Sequence, residues 1–134
     1  MATNHLSGGP RSRRFQAAVS NPVRLIINAD DLGRSLTVNE AVAELLARGL
    51  ITSATVMANG PHLADALARI PPSRRHLLGI HLNITEFKPI TFSPAWQGWL
   101  DSEGCFSLRA FRQQPLSRER QAAIYTEWLA QVSR

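Results

Sequence analysis

Leu25-Ile26-Ile27-Asn28-Ala29-Asp30-Asp31-Leu32-Gly33 is the stretch whose reading decides the fold class. An apolar run stops at two adjacent carboxylates and a glycine. Short continuous apolar runs mark strands buried on both faces in α/β proteins. Ligands in such folds gather at the carboxyl ends of the strands. The Asp pair therefore stands where chemistry is usually done. Two neighbouring acids repel, so they call for a positive partner, a metal ion or an arginine. The plainer alternative is that one Asp caps the next helix and the other is solvated.

Working outward, residues 23–28 read as strand one. Thr37-Val38-Asn39-Glu40 is a capping-box pattern. Val38, Ala41, Val42, Leu45 and Leu46 then fall on one helical face, and Gly49 is the expected stop. Residues 51–58 are β-branched and apolar and read as strand two. Asn59-Gly60-Pro61 is a turn. Residues 62–70 read as a helix that Pro71-Pro72 breaks, and 77–84 as strand three. This β-α-β-α-β order implies an α/β fold with parallel strands and right-handed crossovers. Residues 86–104, with Trp96 and Trp99, read as a long loop of the kind that is often functional. Residues 106–111 are expected to form a short strand or turn. Residues 117–132 read as a helix with Ile124, Tyr125, Trp128, Leu129 and Val132 on one face.

Composition sets the outer limits. A chain of 134 residues, 44% hydrophobic, is one domain or part of one and can bury a core. There is no run of 18 or more apolar residues, so no transmembrane helix is expected. Residues 1–21 lack an apolar signal region and read as a flexible tail, with Gly8-Gly9-Pro10 and Arg11, Arg13 and Arg14. A single cysteine, Cys105, excludes an internal disulfide and fits a reducing cytoplasm. The net charge of +5 comes from scattered arginines, among them Arg24, Arg34, Arg48, Arg69, Arg109 and Arg134. No stripe of basic and aromatic residues marks a nucleic-acid face, so solvated surface charge explains them better.

Strand three ends Gly79-Ile80-His81-Leu82-Asn83-Ile84-Thr85. His81 interrupts an apolar run near a carboxyl end. If strands one and three are neighbours, His81 approaches Asp30 and Asp31. An Asp with a His is a common partial shell for a divalent metal; a core histidine bonded to backbone is the alternative.

Ile27-Asn28-Ala29-Asp30-Asp31-Leu32-Gly33, Val38-Asn39, Gly49-Leu50-Ile51-Thr52-Ser53-Ala54-Thr55, Asn59-Gly60 and Gly79-Ile80-His81-Leu82-Asn83-Ile84-Thr85 follow one another in a specific order. In that order and spacing the chain resembles the YdjC-like carbohydrate deacetylases, which include chitooligosaccharide deacetylases and a hopanoid-associated branch. The resemblance runs over residues 23–134 and takes in 101–106 and a late helix with Glu127 and Gln131. It implies a (β/α) barrel-like fold, here a partial parallel sheet from the N-terminal half of the domain. It implies removal of an N-acetyl group from an amino sugar. By position, Asp31 and His81 would be metal ligands and Asp30 the general base on the hydrolytic water. The implied cofactor is a divalent metal, magnesium first, with zinc and manganese as alternatives.

Family members carry a His-x-Asp-Ser-His-His-His-x-His segment after the late helix, supplying a third ligand and a general acid. That segment and the later strands are not in these 134 residues. The expectation is of an N-terminal portion, inactive alone, with a homodimer or a complementing C-terminal half as partner. Among the other histidines, His62 is the remaining ligand candidate, though a helix cap or cleft position suits it better. Asn28 and Asn83 are expected to position the acids and the histidine or to contact substrate. Trp96 and Trp99 are candidates for sugar stacking, with core or lid packing as the alternative. A non-catalytic, partner-binding remnant and a basic nucleic-acid-binding module are the rival readings.

Overall fold

The computed structural model describes residues 23–134. The tail read over residues 1–21, and His5 within it, lie outside the described residues. The elements are β1 (Asn28–Leu32), α1 (Leu36–Ala47), β2 (Ser53–Val56), α2 (Leu63–Arg69), β3 (Leu78–Ile80), α3 (Leu108–Gln113) and α4 (Arg118–Ser133). Short 3-10 turns at Pro72–Leu77 and Pro94–Trp96 complete them. The strands form one parallel sheet in the order β1-β2-β3. The α/β architecture is thus a partial, barrel-like parallel sheet.

Alternation along the strands divides the sheet into two faces. Ala54 and Val56 pack with Leu32 against Val42 and Leu46 of α1 and Ala66 of α2, with Ala29 and Leu78 at the margin. The opposite face carries Asn28, Asp30, Ser53 and Thr55, joined by side-chain hydrogen bonds. A second core packs Ile84, Trp96, Trp99 and Phe106 against Ala123 and Ile124 of α4. The Trp96 and Phe106 rings meet edge to face at 5.1 Å, a favoured aromatic geometry.

Several elements differ from their sequence reading, each for a local reason. Strand one begins at Asn28, not at residue 23. The Thr52 hydroxyl accepts the Ile27 N–H at 2.9 Å in place of a backbone carbonyl, and the ladder starts only after it. Val23, Leu25 and Ile26 are 93%, 69% and 81% exposed, so the apolar run is not a buried strand. Ser35, not Thr37, caps α1, its hydroxyl accepting from Val38 N at 3.2 Å. Only the start of 106–111 is strand-like, through a Leu100–Phe106 bridge. The rest is α3, capped by the Ser107 hydroxyl. In α4 the inward residues are Ala123, Ile124, Glu127 and Gln131. Tyr125, Trp128, Leu129 and Val132, expected on one face with Ile124, are exposed.

Candidate metal and acid-base site

The sheet positions the Asp pair through a bulge. Ala29 pairs with Ala54 and Leu32 with Val56, so β1 spends one more residue than β2 over the same span. Such bulges re-aim side chains that a regular strand would alternate across its faces. Asp31 sits in the bulge with φ +67°, a left-handed conformation uncommon for residues other than glycine. Gly33, at φ +101°, completes the turn out of the strand. The Asn59-Gly60-Pro61 turn packs directly beneath. A Cβ on Gly60 would lie 2.5 Å from the Gly33 carbonyl oxygen, so only glycine fits.

Asn39 locks this exit. Its side chain is fully buried. Its Oδ1 accepts from Gly33 N at 2.7 Å, and its Nδ2 donates to His62 O and to Asp65 Oδ2. The Arg69 guanidinium and the Asn39 amide both hold the Asp65 carboxyl below the usual carboxylate range. Asn39 occurs in the motif read as a capping box, but its work is to bind the β1 exit to α2. The available signal was a polar residue on the apolar stripe of α1.

β2 separates β1 from β3, so the condition that strands one and three be neighbours is not met. His81 follows β3 directly, with its N–H on Val56 O at 2.8 Å. From there its ring crosses the end of β2. Nδ1 of His81 lies 3.2 Å from Asp31 Oδ1 and 3.3 Å from the Asp31 backbone N. A protonated Nδ1 donates to the carboxylate; an unprotonated one has a single lone pair, which here accepts the Asp31 N–H. One carboxylate oxygen and one imidazole nitrogen thus lie side by side, and to ligate a cation Nδ1 would give up its bond from the Asp31 amide. Two ligands sharing one ion at about 2.1 Å each stand at about this separation. The donor set fits a divalent cation. Among the described residues, no group of three or more His, Cys, Asp or Glu side chains is placed to hold one.

The other oxygen of Asp31 is taken. Arg34 lies 3.2 Å from Oδ2 and, through its second terminal nitrogen, 2.9 Å from Glu86 Oε1. This is the positive partner the acid pair called for. Read from sequence, Arg34 was one surface arginine among many; nothing in its spacing distinguished it, and Glu86 gave no signal. Asp30 is exposed. A single oxygen, Oδ1, accepts both bonds to it, from Asn28 Nδ2 at 2.8 Å and from Thr55 Oγ1 at 2.6 Å. Ser53 Oγ in turn donates to Asn28 Oδ1 at 2.8 Å. Asn28 therefore bonds to an acid of the pair, while Thr55 and Ser53 are additions to the sequence reading.

Three expected site residues have other roles. Asn83 is buried. Its Oδ1 accepts from Thr85 and Glu86 amides and its Nδ2 donates to Asn59 Oδ1 and Glu86 O, so no polar atom is left for substrate. Trp96 and Trp99 are 2% and 1% exposed, packed in the second core, and present no ring face to a sugar. The packing alternative holds because Phe106, Phe111 and α4 enclose the rings. His62 stands at the start of α2 but its side chain makes no capping bond.

Several of the described arginines are engaged within the fold. Arg48 and Arg69 pair with Glu44 and Asp65. Arg74, Arg120 and Arg134 donate to backbone carbonyls. No described helix is long and apolar enough to cross a membrane.

The chain matches the family model of YdjC-like proteins over residues 24–134. It is 31% identical over 112 residues to a carbohydrate deacetylase of Enterococcus faecalis, covering 81% of this chain and 42% of that protein. A carbohydrate deacetylase of Geobacillus stearothermophilus is 35% identical over 114 residues, covering 84% and 44%. Among solved structures, a candidate cellobiose-phosphate cleavage protein of Enterococcus faecalis superposes with a TM-score of 0.62 at 30% identity, covering 81% of this chain and 41% of that one. The chain therefore spans less than half the length of the relatives it matches. With the family model covering nearly all of the described residues, this chain belongs to the YdjC-like family.

Proposed function

We propose that this chain contributes the cation-holding acid and histidine, and the general base, of a metal-dependent carbohydrate N-deacetylase acting on N-acetylated amino sugars. The observation that carries the reading is the 3.2 Å approach of Asp31 Oδ1 and His81 Nδ1, from residues fifty positions apart. A divalent cation bound there would acidify a water and polarise the amide carbonyl. Magnesium is the first choice, with zinc and manganese as alternatives. Asp31 and His81 would hold the cation, while Arg34 keeps Asp31 Oδ2 engaged and leaves Oδ1 as the available oxygen. Asp30 takes the proton of the attacking water on Oδ2, the oxygen left free by Asn28 and Thr55. Those two donors hold the carboxyl in one orientation, which is what proximity catalysis requires.

Two protein ligands leave most of a cation's positions to water, so the chain by itself is expected to bind weakly and to release no appreciable acetate. A complementing C-terminal half is the partner this reading calls for. Calorimetric titration with zinc, manganese and magnesium tests the ligands. Asp31→Ala and His81→Ala should abolish binding, and Asp30→Asn should leave it. Tight binding that survives the first two substitutions places the ligands elsewhere. The second arm is acetate release from N-acetylated chitooligosaccharides. Robust turnover by the chain alone, lost in Asp30→Asn, would keep the base and overturn the need for a partner.

A further inference from the structure

The buried polar residues of α4 have no part in the reaction proposed above. Glu127 and Gln131 are both 0% exposed, one helical turn apart, on a helix whose Tyr125, Leu129 and Val132 face outward. Burying such groups is unfavourable unless each bond is satisfied. Here each is. Gln131 Oε1 accepts from Asn83 N at 2.9 Å, and Gln131 Nε2 donates to Asn83 O at 2.6 Å and to Glu127 Oε1 at 2.9 Å. Glu127 in turn accepts from the amides of Ile90 and Thr91 and from the Thr91 hydroxyl. The clamped residue, Asn83, lies two positions after His81.

We propose that Gln131 is a positioning residue for His81, clamping the Asn83 backbone through both its N–H and its C=O. The proposal rests on the reading of His81 as a cation ligand. On the upstream side His81 is fixed by its own N–H on Val56 O. Downstream, the segment 81–83 lies beyond the end of β3 and has no ladder to hold it. The clamp from α4 takes the place of the missing ladder. From Asn83 the bonding continues: its Nδ2 donates to Glu86 O, and the Glu86 carboxylate meets Arg34, which meets Asp31. Both candidate ligands are thereby tied to the same helix. Supporting groups behind metal ligands are worth about 10–100-fold in metal affinity.

The test compares Gln131→Leu with Ile124→Ala, which weakens the same helix through the second core without touching Asn83. Cobalt(II) affinity of the chain is read by titration. Exchange of the Asp31 amide, which donates to His81 Nδ1, is read by NMR without metal. Gln131→Leu should lower affinity about tenfold and speed Asp31 exchange, while Ile124→Ala, matched for loss of thermal stability, changes neither. If Gln131→Leu fails to fold, Gln131→Met serves, an unbranched side chain of similar length that adds no charge beside Glu127 and loses both bonds to the Asn83 backbone. Equal effects of the Gln131 and Ile124 variants overturn the positioning role. Faster Asp31 exchange in a chain that binds no cobalt supports the clamp and overturns the metal reading instead.

Discussion

In α1 the inward side chains are Val42 and Leu46 with one polar companion, Asn39; in α4 Glu127 and Gln131 lie inward beside Ala123 and Ile124. The two helices cover different things. α1 packs mainly on a sheet whose backbone bonds are paired within the ladder and offers it apolar surface; its one polar inward residue, Asn39, accepts the Gly33 N–H just where the strand has ended. α4 packs on the segment 83–91, which has no strand partner. Backbone donors buried without a ladder must find acceptors elsewhere. Glu127 and Gln131 supply them. A helix's inward face is set by what it covers, and its apolar stripe is a guide only where the partner is a finished sheet.

This contrast is open to measurement by urea unfolding. The largest effect is expected in the apolar half. Ile70→Ala removes a side chain 2% exposed in the first core and should cost about 2–5 kcal/mol. A loss under about 1 kcal/mol would mean that this core is not close-packed.

Glu127→Ala comes next. It strands the Ile90 and Thr91 amides, and each buried orphan donor costs about 1–3 kcal/mol. Burial pushes the Glu127 carboxyl up, but its bonds from Ile90, Thr91 and Gln131 outweigh this and hold it below the ordinary range. Its folded pKa is therefore lower than its unfolded one, near about 4.3. The stability it contributes is fully present above that value and is lost as pH falls through the folded pKa. Glu127→Gln should flatten this part of the acid limb. An unchanged acid profile would show that the carboxylate's charge is not what the loop uses.

Smaller effects sharpen the comparison. Ser35→Ala and Ser117→Ala each remove a helix cap, worth about 1 kcal/mol, and the two helices should respond alike. The smallest effect falls where sequence periodicity places core. Leu129→Gln, at a side chain 49% exposed, should stay within about 0.5 kcal/mol. A loss of 2 kcal/mol or more, the scale of a core truncation, would restore the apolar stripe as the packed face.

The sequence by itself determined the β-α-β-α-β order, the parallel sheet, most helix positions and the Asp30, Asp31 and His81 motif. These are local signals: apolar runs, caps, glycine and proline stops, and a motif with fixed spacing. What the tertiary structure decided is longer in range. It set β2 between β1 and β3, opened the bulge that re-aims the acids, and brought Arg34 and Glu86 to Asp31. It also buried Trp96, Trp99 and Asn83, and turned the polar side of α4 inward. None of these is visible in a window of ten or fifteen residues. Each depends on which backbone groups remain unpaired after the sheet has formed, and on which side chains lie close enough to satisfy them.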